Sequence, residues 1–120
     1  MSLGILIRAG LVTSVSFLIL GCSMTIPVAV IGQHGEIMRG TNTVSLSSAT
    51  FTVTDGKVTC SGSYNPLNES RTITTTVTCT DGRTGIVTAT RDSPTTGGGT
   101  VMMSDGTSGR FIFGDAANRI

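Results

Sequence analysis

The chain has 120 residues, 16 of them glycine, and only 12% of it is charged, with eight Lys and Arg against seven Asp and Glu. That length serves one domain and is short for two, and the charges are scattered, so the basic cluster that nucleic-acid phosphates require is missing. Frequent Thr, Ser and Gly, without the Ala, Leu, Glu and Lys runs that helices favour, point to β structure after residue 22.

Arg8 and the terminal amine supply positive charge ahead of a 13-residue apolar stretch, Ala9–Gly21. As a helix it would span about 20 Å, against a hydrocarbon core of about 30 Å. Ser14 and Ser16 interrupt it, and its length suits a secretory leader better than a membrane span. Ile19-Leu20-Gly21-Cys22 resembles the bacterial lipobox, in which a small residue precedes an invariant cysteine; Leu20 departs from the Ala, Ser or Thr commoner at its place. The resemblance implies a bacterial lipoprotein, with diacylglycerol on the Cys22 thiol and cleavage just before it. Lipid adds roughly 0.8 kcal/mol of membrane affinity per buried CH₂. By analogy with lipoprotein sorting, Ser23 favours the outer membrane of the cell envelope over the inner. The implied organisation is a signal peptide over 1–21, a lipid-anchored N-terminus and short linker over 22–25, and one β domain over 26–120. Loss of Arg8 with the leader leaves seven positive and seven negative side chains.

Residues 26–46 hold two apolar-rich runs around Gln33-His34-Gly35, which predicts a hairpin with His34 exposed at its tip. His34 is the single histidine, with Gly, Gln and Glu36 around it, so neither a catalytic triad nor a histidine metal site is supported.

Three cysteines make an odd count. With Cys22 taking lipid, Cys60 and Cys79 remain as a pair in an oxidising compartment. Alternation agrees: Val58, Cys60, Gly62 and Tyr64 share one face of a strand, and Ile73, Thr75, Val77 and Cys79 one face of the next, so both sulfurs point to the apolar side. Such a bridge is worth roughly 3 kcal/mol. The two cysteines are 19 apart with no C-x-x-C, which argues against a metal or redox dithiol.

Asp-Gly recurs at Asp55-Gly56, Asp81-Gly82 and Asp105-Gly106, spaced by 26 and 24 residues. Asp-Gly between β-rich runs is a strong hairpin signal, and the flanking text repeats, so the body reads as strand–turn–strand units of about 25 residues. The three aspartates are explained as turn residues and need not converge on a cation. Two proline-bearing stretches, 64–68 and 93–99, read as connectors. The expected fold is all-β, an antiparallel meander of about seven or eight short strands, as a curved sheet or a small barrel. Its core candidates are Val28, Val30, Ile37, Val44, Phe51, Val53, Val58, Ile73, Val77, Val87, Val101, Met103, Phe111 and Phe113. A two-residue turn at Asp105-Gly106 would set Phe111 opposite Thr100 and Phe113 opposite Gly98. A ring facing a strand glycine can cover its exposed backbone, so these phenylalanines are expected to close the core.

Gly99–Gly106 followed by Gly109–Gly114 resembles one MORN repeat, a family that strings β-hairpins and scaffolds membrane or protein contacts. Ser108-Gly109-Arg110-Phe111 faintly resembles the Ser-Gly-x-x-Tyr segment of periplasmic lysozyme inhibitors, with Phe111 as its aromatic residue, one position ahead of the Tyr in that pattern. That resemblance implies a binding loop inserting into a hydrolase cleft. No convergent catalytic set, metal site or cofactor motif is visible. The functional expectation is a non-enzymatic structural or protein-binding module. Its partners would be the membrane, through the N-terminal lipid, and an envelope protein; no small-molecule substrate is evident. An inhibitor of an envelope-attacking hydrolase is the alternative.

Overall fold

A computed structural model describes residues 23–67 and 70–120; the leader, Cys22, Asn68 and Glu69 lie outside the described residues. Thr- and Val-rich runs punctuated by Gly form eight strands: β1 Met24–Gly32, β2 Ile37–Val44, β3 Ala49–Thr54, β4 Thr59–Tyr64, β5 Thr72–Cys79, β6 Thr84–Ser93, β7 Thr96–Met103 and β8 Ser108–Phe113. Each pairs antiparallel with the next. β8 then returns to β1, from Val28↔Phe113 to Gly32↔Gly109, and closes the barrel. The predicted meander is therefore a closed barrel, which leaves no free sheet edge.

Period-two alternation decides which side chains enter the barrel. In β3, Ala49, Phe51 and Val53 are buried while Thr50, Thr52 and Thr54 face solvent. Outward threonines meet across strands, as in the 3.2 Å contacts Thr50 Oγ1–Ser63 Oγ and Thr72 Oγ1–Thr90 Oγ1. Inward positions are partly given to glycine, because eight strands close only with sharp bending. A Cβ on Gly40 would stand 1.7 Å from the Thr52 carbonyl oxygen, and one on Gly99 would stand 1.8 Å from that of Thr88. The buried phenylalanines lie across from such glycines: Phe51↔Gly62, Phe111↔Gly99 and Phe113↔Gly97.

This register corrects the sequence expectation by one residue at both Phe111 and Phe113. The β7–β8 connection is a three-residue turn, Ser104-Asp105-Gly106. The Met103 N–H donates to the Thr107 carbonyl at 2.8 Å, and Gly106 adopts φ 91°. One extra residue in the turn shifts every pair beyond it. Gly97, Gly98 and Gly99, expected in a connector, lie within β7. Ile37, expected in the core, is 40% exposed, since its neighbour Met38 holds the inward position and packs on the core. Ile26 and Ala89 are core residues that the sequence reading left out. Ala29 points out of the barrel yet is fully buried, because the 3₁₀ helix Asp115–Arg119 packs on β1.

An up-and-down barrel places alternate connections at opposite ends. The Gln33-His34-Gly35 tip and the three Asp-Gly turns occupy one end, here the upper. The connections 45–48, 65–71 and 94–95 occupy the lower end, where β1 also begins at Met24. Cys60 and Cys79 are joined as expected. They are direct cross-strand partners in the β4–β5 ladder, which has only two registered pairs, Cys60↔Cys79 and Ser61↔Thr78. The covalent bond thus holds the barrel where its strand pairing is shortest.

Candidate functional site

The upper-end turns are built by their own side chains. Asp55 Oδ1 accepts from the Lys57 and Val58 N–H groups, both at 2.8 Å. Asp81 Oδ1 accepts from the Arg83 N–H at 3.1 Å. Asp105 Oδ1 accepts from the Thr107 hydroxyl at 2.6 Å and from its N–H at 2.9 Å. These bonds stabilise the charged carboxylates and hold all three below the ordinary aspartate value of 3.8. Their leading causes are the Val58 amide for Asp55, the Arg83 amide for Asp81 and the Thr107 hydroxyl for Asp105. Arg83 donates to Asp81 at 2.8 Å and comes within 3.8 Å of Asp105, joining two neighbouring turns. The aspartates share an end, but each carboxylate is engaged within its own turn. Among the described residues no cluster of three His, Cys, Asp or Glu side chains could hold a metal ion. His34 is exposed at its hairpin tip, as the sequence suggested.

Ser108, Gly109, Arg110 and Phe111, read from the sequence as a loop, form the start of β8. Ser108 is tied to the first hairpin, its N–H donating to Gln33 Oε1 at 3.1 Å. Phe111 is 5% exposed and packs edge-on against Phe51 with ring centroids 5.3 Å apart. An inward strand position buries the ring that a cleft-inserting loop would have to present. Cys22 lies outside the described residues.

The interior contains what the sequence reading missed. Phe51, Phe111 and Val87 form a layer across the barrel, with a cavity on either side. The upper cavity, about 160 Å³, has walls that include Val30, Met38, Val53, Val77, Val101 and Met103, and the disulfide lines it too. Glu36, Asp55, Arg83 and Thr107 also line it. The lower cavity, about 170 Å³, is lined by Val44, Ile73, Ala89 and Phe113 together with Asn42, Tyr64 and Thr75; Met24, Pro66, Arg91, Pro94 and the dividing layer complete its lining.

Among the described residues, Asn42 is the buried polar side chain of the barrel interior, at 4% exposure. It occupies an inward position of β2 between Gly40 and Val44, its neighbours on that face. Its Nδ2 donates to the Tyr64 hydroxyl at 2.6 Å, while its Oδ1 has no hydrogen-bond partner. The signal was present in the alternation of 38, 40, 42 and 44, which puts an amide on an otherwise apolar face.

No family model matches the chain, and no curated protein does. Among solved structures it is similar to a redesigned β-barrel, at 18% identity over 75% of this chain and 87% of that one, with a TM-score of 0.57. It is also similar to a de novo designed fluorescence-activating β-barrel, at 20% identity over 74% and 88%, with a TM-score of 0.56. At such identities the likeness concerns the fold alone: the chain is a small β-barrel module.

Proposed function

We propose that this barrel is a bacterial envelope lipoprotein, exported by its leader, anchored through lipid on Cys22 and acting as a non-enzymatic structural or protein-binding module. The observation that carries the reading is the contrast between the loop tips of the two ends, leucine-bearing below and acidic above. Exposed Ile37, Ile86 and Met102 lie on strands nearer the upper end, and Arg71, Arg91 and Asp92 lie at the lower. β1 begins at the lower end, two residues after Cys22, and that end exposes Leu46 at 75%, Leu67 at 72% and Met24 at 46%. Apolar loop tips beside a lipid anchor suit contact with the headgroup region of a bilayer. The opposite end bears Glu36, Asp55, Asp81, Arg83 and Asp105, and it would face away from the membrane towards a protein partner. Ser23 supports residence in the outer membrane.

The test is fractionation of cells expressing the wild type and Cys22→Ser. The proposal requires wild-type protein in the outer-membrane fraction and Cys22→Ser outside it, either soluble after cleavage or unprocessed at the inner membrane. Identical distributions of the two would overturn it.

A further inference from the structure

The Asn42–Tyr64 pair leaves hydrogen-bonding capacity unused beside an apolar space. Tyr64 accepts from Asn42 and keeps its own proton to donate, and the amide keeps an unpartnered oxygen. Turning the amide over exchanges the roles but still leaves one of its ends without a partner. A buried polar atom without a partner is costly, so a half-satisfied amide in a barrel wall points to a missing group. A hydroxyl is the group that both donates and accepts, and it fits the pair in either orientation.

The space beside the pair defines the rest of the ligand. At about 170 Å³ the cavity far exceeds the roughly 30 Å³ share of one water, and buried water normally finds about three polar partners. The lower walls are largely Val44, Phe51, Ile73, Ala89 and Phe113, which offer none. Besides the pair, the polar members of the lining are Arg91 and Thr75, whose hydroxyl already donates to the Ser63 carbonyl at 2.6 Å. An apolar cavity of about 150 Å³ suits a single benzene-sized ring. No unpartnered buried side-chain atom accompanies the upper cavity.

We infer that the lower cavity binds a small apolar molecule carrying one hydroxyl, of the size of a single-ring phenol or short-chain alcohol. Its hydroxyl meets Asn42 and Tyr64, and its hydrocarbon packs against Phe51, Ile73 and Phe113. This site does not depend on the anchoring proposal, since its residues belong to the barrel wall.

The test is titration of the purified full-length protein, in mild detergent, with phenol and with toluene as the hydroxyl-free control, followed by methyl NMR. Phenol should shift the methyl signals of Val44, Ile73 and Ala89 and leave those of Val53, Val77 and Val101 in place. It should bind roughly tenfold more tightly than toluene, the ratio expected of one ordinary hydrogen bond. Asn42→Val and Tyr64→Phe should each bring phenol to the toluene level. Tyr64→Phe removes a single oxygen and carries the test if Asn42→Val does not fold. Equal affinity for the two probes, shifts confined to the upper cavity, unchanged phenol affinity in Tyr64→Phe, or a wild-type spectrum unmoved by saturating phenol would each overturn the inference.

Discussion

Phe113 lies directly across from Gly97, its ring 2.6 Å from the point where a Cβ on that glycine would stand. The same exchange of a side chain for a ring occurs at Phe51↔Gly62, where the corresponding distance is 2.5 Å. Glycine lets the strand bend inward, and the phenylalanine opposite covers the backbone that the missing side chain exposes. The three rings then meet one another, Phe51 on Phe111 and Phe111 on Phe113 at 6.2 Å between centroids. Barrel closure and the layer dividing the interior thus have one origin.

Gly99→Ala should be strongly destabilising, because its methyl would collide with the Thr88 carbonyl, part of the backbone of the adjacent strand. Overpacking of this kind costs roughly 1–3 kcal/mol or more. Urea unfolding measures it, with the exposed Thr100→Ala as control. Equal midpoints for the two variants would contradict tight closure at this point.

Replacing both Cys60 and Cys79 by Ala should cost about 3 kcal/mol, the usual value for closing a loop of this size. Because the β4–β5 ladder has two registered pairs, amide hydrogen exchange should accelerate first in 59–64 and 72–79. Uniform acceleration around the barrel would show that the bond does not guard that seam.

Acid should weaken the fold through its turns. Asp55, Asp81 and Asp105 have folded pKa values below the ordinary 3.8, so the unfolded chain binds protons more readily than the native one. Their contribution is complete above the ordinary carboxylate range and is lost as pH falls through the lower folded values. Denaturation midpoints measured from pH 7 down to pH 2 should therefore fall at the acid end. Asp55→Asn, which cannot ionise, should flatten part of that fall; an unchanged slope would refute the linkage.

Much of this was legible in the residues. Asp-Gly turns announced the hairpins because glycine alone among common residues sits easily at positive φ, and Gly56, Gly82 and Gly106 adopt 95°, 90° and 91°. The cysteine pair followed from alternation. Turn length was hidden: the Asp55 N–H bonds across Gly56-Lys57 to the Val58 carbonyl, whereas Asp81-Gly82 and Asp105-Gly106 sit in three-residue turns. Identical dipeptides therefore set different registers, and Phe111 and Phe113 were each misplaced by one partner. Closure was written in the inward glycines of β2, β4 and β7, but their meaning depends on which strand backbone lies beside each one. Asn42 was passed over because an isolated amide in a Thr-rich strand resembles an outward residue until the face is counted.

The proposed membrane contact at the lower end makes its own prediction. Leu46→Glu with Leu67→Glu should leave unfolding unchanged, since both side chains are largely exposed, yet reduce vesicle binding by the cleaved, unlipidated Cys22→Ser chain. Undiminished binding would remove the loops from the membrane contact.

The most direct measurement is the intact mass and N-terminal peptide of the protein extracted from the envelope of expressing bacteria. The account predicts a chain that starts at Cys22 and carries the added mass of diacylglycerol on that residue. A chain that retains Met1, or one whose Cys22 bears no lipid, would contradict it.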